Sequence, residues 1–143
     1  MNYQAIRGAI EQPLLDAFDA LSPSVPVYFD NITAAPKNTT TEYVRVGVTF
    51  GITNEPTLTG SVDFARGSIV IRVFTEKGKG PARNQTLLTT AVNVLETLNE
   101  TAKTNSGVFF RVSELRGPSF SAEEQSPHFV GRIDTGYKAT VLS

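Results

Sequence analysis

The residues able to do chemistry in this 143-residue chain are few and scattered. His128 is the only histidine, which excludes a multi-histidine metal site and most Ser–His–Asp relays. Beside Pro127, at the start of a strand pattern, it reads as a surface residue. Glu114 and the pair Glu123-Glu124 offer carboxylates for acid–base work, but such a pair needs a rigid, partly desolvated site to separate its two pKa values. A polar, Gly- and Pro-containing stretch does not provide one. Lys77-Gly78-Lys79-Gly80 precedes a helical pattern, where free backbone N–H groups attract anions, yet neither the Walker nor the dinucleotide glycine pattern is present. It reads as a tight turn. The expectation is a protein without catalysis, cofactor or metal.

Cysteine is absent, so there is no disulfide framework and no thiolate metal site, which fits a reducing compartment. Asn31-Ile32-Thr33 and Asn84-Gln85-Thr86 have the form of glycosylation acceptors, and chance in a threonine-rich chain accounts for them. A formal net charge of −1 gives no bulk attraction for nucleic acid or an anionic membrane. No apolar run approaches the roughly 20 residues of a membrane span, and Met1 to Arg7 lack a secretory pattern. The reading is a soluble protein, made and kept in the cytoplasm. The length fits one domain, residues 1–143, with a core of its own.

The elements that must position any site follow from hydrophobic spacing. Ile6, Ile10, Leu14 and Phe18 recur every four residues, which predicts a helix from Asn2 to about Leu21, ended by Ser22-Pro23-Ser24. Pro13 predicts a kink, or a second helix starting there. Val25 to Asp30 reads as a short edge strand and Asn31 to Thr41 as a loop. Alternation of Val44, Val46, Val48, Phe50 and Ile52 with polar residues predicts a half-buried strand over 43–53. Asn54 to Arg66 reads as a protruding hairpin or mobile loop. Gly67 to Thr75 is a strand with Ile69, Ile71 and Val73 on one face.

Pro81 suits the first position of a helix running to about Lys103, with Leu87, Leu88, Ala91, Leu95 and Leu98 as its stripe. Val108 to Ser113 reads as a strand, Arg116 to Pro127 as a polar loop, and His128 to Leu142 as a closing strand. Neighbouring strands with few helices predict an α+β fold: a mostly antiparallel, mixed sheet with two helices packed on one face.

These parities put Arg45, Arg72, Arg111 and Arg132 on the sheet face away from the helices, with Phe74, Phe109 and Val130. A solvated outer face is one reading. The other is a subunit interface, because arginine pairs bidentately with carboxylates and large apolar groups on that face would be left wet. In a heterologous contact between identical subunits one surface meets a different one. Glu55, Asp63, Glu123 and Glu124, in the two long loops, are the candidate acidic counterparts.

The layout resembles the tail terminator proteins of long-tailed bacteriophages, the minor tail protein U-like family. The likeness covers nearly the whole chain. It rests on the helix around Tyr3-Gln4-Ala5-Ile6-Arg7, the extended Pro26-Val27-Tyr28-Phe29-Asp30-Asn31, and Tyr43-Val44-Arg45-Val46. Its most specific part is Gly67-Ser68-Ile69-Val70-Ile71-Arg72-Val73-Phe74 leading into Lys77-Gly78-Lys79-Gly80 and a helix. The resemblance implies a structural virion protein, assembled in the host cytoplasm and residing in the virion tail. It implies a homo-oligomeric, hexameric ring that caps the head-proximal end of the tail tube and stops its polymerisation. The partners implied are the tail tube protein and a head-side neck or connector protein, with DNA passing transiently through the pore and no membrane. A neck, head-completion or tube-related subunit is the alternative within the same class. From another class comes a monomeric ligand-binding or hydrolytic domain using the 31–41 and 117–127 loops as a pocket rim.

Overall fold

The computed structural model describes residues 3–21, 24–30, 42–54, 62–78, 80–100, 108–121 and 128–142. Helix α1 spans Tyr3–Asp19, and Ile6, Ile10, Leu14 and Phe18 on its apolar stripe are fully buried. The stripe runs straight through Pro13, and the structure keeps one helix there instead of starting a second. Proline removes one backbone donor, at a cost of about 3 kcal/mol. Burial of four large side chains, at about 1.5–3 kcal/mol each, outweighs it.

Five strands follow the order β1-β2-β3-β5-β4: β1 Val27–Tyr28, β2 Tyr43–Asn54, β3 Val62–Glu76, β4 Val108–Ser121 and β5 His128–Leu142. Strand β1 pairs parallel to β2 and is shorter than the 25–30 segment expected; all other pairs are antiparallel. Helix α2, Ala82–Glu100, lies between β3 and β4 in the chain. Pro81 stands just before it, and its carbonyl accepts the first helical bond from the Gln85 amide at 2.9 Å. The mixed sheet with helices packed against it is the α+β fold that the hydrophobic spacing predicts.

Alternation decides which face of the sheet is covered. Val44, Val46 and Val48, then Ile69, Ile71 and Val73, then Ile133, Tyr137 and Ala139 form one core with Phe18, Leu87, Leu88 and Leu95 of the helices. The opposite parity carries the arginines.

Strand β3 starts at Val62, and Asn54 of β2 faces Phe64, so the described parts of the 54–66 segment, residues 54 and 62–66, pair as the hairpin that is one of its two readings; residues 55–61 lie outside the described residues. The 116–121 stretch, expected as loop, continues β4 through two register shifts, between Val112 and Leu115 and between Arg116 and Ser119. Gly117 and Pro118 fall in the second shift on an edge strand, where a missing ladder donor is tolerated. Gly117 also has φ +102° with the Arg132 carbonyl 2.8 Å from where a Cβ would sit, so only glycine fits.

Candidate assembly surface

Register brings three of the four sequence-selected arginines into one line. Arg45 of β2 is the Cα partner of Arg72 of β3, and Arg72 is the partner of Arg132 of β5. Tyr28 of β1 extends the row beyond Arg45, and Ser119 of β4 extends it beyond Arg132. Adjacent strands lie about 4.8 Å apart, so three guanidinium stems stand side by side on the face away from the helices. Arg111 of β4 is not in this line: its register partner is Lys138, which is in turn the partner of Arg66.

Carboxylates on this face are fewer. Asp134 takes Arg132 at 3.6 Å and Arg116 at 3.8 Å. The Arg45 guanidinium lies 5.9 Å from the Tyr28 ring centre. Arg72, exposed at the middle of the row, has no carboxylate partner among the described residues. An open groove of about 280 Å³ lies beside it, lined by Tyr28, Asp30, Arg45, Gly47, Val70 and Arg72. Asp30 is already engaged. Its Oδ2 accepts from Arg7 at 2.7 Å and from the Val48 amide at 3.1 Å. Hydrogen bonding to Asp30 is the main reason the Arg7 pKa is raised.

The expected acidic counterparts fare differently. Glu55, Glu123 and Glu124 lie outside the described residues. Asp63 is not in a loop: it is the second residue of β3, opposite Val141, because the strand begins earlier than its weak pattern suggested.

Next to the arginine row is a ring cluster that sequence reading missed. Tyr43 stacks on Phe74 at 4.3 Å and meets Tyr28 edge-on at 5.7 Å. His128 packs edge-on against Tyr43 at 5.2 Å and Phe74 at 6.0 Å. His128 is therefore buried, contrary to the surface position expected, because the rings of Tyr43 and Phe74 pack against it on its side of the sheet. Burial raises the Tyr43 pKa, with nearby Arg45 pulling the other way. The signal was present in the strand parity, since Tyr43, Phe74 and His128 all belong to the outer face.

Asn84 agrees with the reading of its Asn-x-Thr triplet as a chance occurrence. Its side chain is fully buried, and Nδ2 donates to the Val73 carbonyl at 2.9 Å, Thr75 Oγ1 at 3.1 Å and the Phe129 carbonyl at 3.2 Å. In this fold it is a clamp between helix and sheet, inaccessible as a glycan acceptor. Gly78 and Gly80 have φ of +90° and +80°, and Lys77 and Gly78 lie in a turn before α2, as expected; Lys79 lies outside the described residues. Among the described residues no group of three or more His, Cys, Asp and Glu is placed to hold a metal ion.

No protein-family model matches this chain. No curated protein matches it either. Solved structures do share its fold. One, 23% identical, covers 97% of this chain and 96% of its own with a TM-score of 0.71. A chain from the virion of a native gene transfer agent particle, 19% identical, covers 97% of this chain and 98% of its own with a TM-score of 0.55. At these identities the likeness establishes the fold alone.

Proposed function

We propose that this chain is a non-enzymatic structural subunit of a phage-like virion, acting by assembly with copies of itself and with neighbouring virion proteins. The observation carrying the reading is the end-to-end likeness to a chain of the gene transfer agent virion, over 97% and 98% of the two lengths. The finer assignment is a tail terminator. As a hexameric ring it caps the head-proximal end of the tail tube, halts tube polymerisation and offers its other surface to the neck connector. DNA crosses the pore only transiently, and no cofactor or membrane takes part. The one-sided basic face supports an interface role, since a solvated outer face has no need of three aligned arginines.

The test is negative-stain microscopy of the purified protein, alone and mixed with tail tubes, beside sedimentation. Rings on tube ends are expected. A protein that stays monomeric at every concentration and leaves tube ends bare would overturn the reading.

A further inference from the structure

Like charges directly opposite on neighbouring strands are destabilising, and Arg45, Arg72 and Arg132 place three in a row. Among the described residues only the outer two have compensation, from the Tyr28 ring and from Asp134. The isolated subunit therefore carries a charge arrangement that costs stability and that a carboxylate entering beside Arg72 would relieve.

A second misplaced charge lies on the helical layer. The last turns of α1 hold Asp16 and Asp19, both exposed, and no basic residue. Carboxylates at a helix C-terminus meet the negative end of the macrodipole, the unfavourable arrangement. Leu15, 38% exposed, lies beside them. Over both helices the charges are two basic, Arg7 and Arg83, against five acidic, Glu11, Asp16, Asp19, Glu96 and Glu100. Among the described residues, the outer sheet face carries the aligned arginines while the two helices carry an excess of carboxylates.

We propose that the groove between Arg45 and Arg72 receives the acidic C-terminal end of α1 from a second copy of this chain. Asp19 or Asp16 pairs with Arg72, and Leu15 packs towards Val70 and Tyr28 of the groove lining. The contact relieves both unfavourable charge placements at once. It is heterologous, socket to plug, which is the type of contact that closes into rings. The inference rests on the self-assembly reading above and names the two surfaces that meet. It replaces the loop carboxylates with a counterpart on a rigid element.

Sedimentation velocity and melting curves of four samples test it: wild type, Arg72→Glu, Asp16→Arg/Asp19→Arg, and the two variants mixed. Each variant alone should associate at least about tenfold more weakly than wild type, as expected for losing one side of a desolvated charge pair. Mixed, they should recover assembly, because the native socket meets the native plug and the charge-reversed plug meets the charge-reversed socket. Arg72→Thr should melt higher than wild type as a monomer yet fail to assemble, an outcome that misfolding cannot produce. Wild-type assemblies matched by all variants would overturn the socket and leave the ring reading intact. A wild type that never assembles, alone or with tubes, would overturn both. Loss of binding to a labelled DNA duplex in Arg72→Glu, with self-association unchanged, would assign the face to nucleic acid and overturn the proposal.

Discussion

The Tyr137 hydroxyl of β5 donates to the Thr49 carbonyl of β2 at 2.9 Å, reaching over the strand between them. The strand crossed is β3, and the residue beneath is Gly67, the register partner of Tyr137. A Cβ there would stand 1.8 Å from the Thr49 oxygen and 2.8 Å from the Tyr137 hydroxyl. The register between β2 and β3 shifts between Phe50 and Ile52, immediately beyond this point, where a regular ladder is interrupted. Glycine, tyrosine and the bulge form one device that ties three strands together on the core side.

Gly67→Ala should therefore destabilise the fold by about 1–3 kcal/mol, the usual cost of overpacking. Urea unfolding of Gly67→Ala, Tyr137→Phe and the double variant checks it. Removing the hydroxyl should recover part of the loss, and a Gly67→Ala variant as stable as wild type would refute the device.

Burial pushes the Tyr137 pKa up to about 12, with Arg7 opposing weakly. In the unfolded chain the phenol titrates near 10. Between these values the unfolded state loses its proton while the native state keeps it, so stability falls as pH rises from about 10 to 12. A two-unit difference corresponds to at most about 2.7 kcal/mol. Tyr137→Phe should flatten this part of the pH–stability curve, leaving a smaller slope from Tyr43, whose pKa burial also raises. An identical slope in the variant would count against the assignment.

Ile71 and Leu95 belong to one core joining sheet and helix, both essentially inaccessible. Ile71→Ala and Leu95→Ala should each cost about 2–5 kcal/mol, read as lowered denaturant midpoints.

The periodicities of Val44 to Val48, Ile69 to Val73 and the two apolar helix stripes were legible because each residue type agreed with burial on one face. The strand ends at 62–66 and 116–121 were not, because Gly and Pro weaken a local pattern while pairing with β5 supplies the bonds from far along the chain. The outer-face arginines could be grouped by parity, but their alignment depends on register, which alternation alone does not number. Asn84 was hidden for a different reason. Polar residues near a helix start usually face water, and only the approach of Gly131 makes room for this one: a Cβ at 131 would lie 2.0 Å from Asn84 Oδ1.

Asn84 should tolerate little. Its Nδ2 faces the Val73 and Phe129 carbonyls, so Asn84→Asp sets an acceptor-only carboxylate against two acceptors. Loss of a buried donor typically costs about 1–3 kcal/mol, and more when a charge is buried with it. Asn84→Asp should melt below Asn84→Ala at neutral pH, and the gap should narrow in acid as the carboxyl takes up a proton. Equal melting of the two at neutral pH would show that the clamp carries little.

The last expectation concerns the edge of β2 beyond its pairing with β1 among the described residues. Strand β1 ends at Tyr28, so the ladder that serves Val44 and Arg45 stops before Val48. Side chains take over: Asp30 accepts from the Val48 amide at 3.1 Å, and Arg7 of α1 donates to the Val48 carbonyl at 3.2 Å. An uncovered edge is a template for pairing with another chain, and covering it is how sheets avoid that fate. The Arg7–Asp30 pair is partly exposed, so its loss should lower global stability by less than about 1 kcal/mol. Its local effect should be larger. In Asp30→Ala the Val48 amide should exchange with solvent much faster, while the amide of Ile71 deep in the sheet keeps its protection. Slow, concentration-dependent aggregation should accompany the change, measured by light scattering below the melting temperature. If Val48 exchanges at the wild-type rate in Asp30→Ala, the carboxylate is not what closes this edge, and the pairing of Arg7 with the strand must suffice alone.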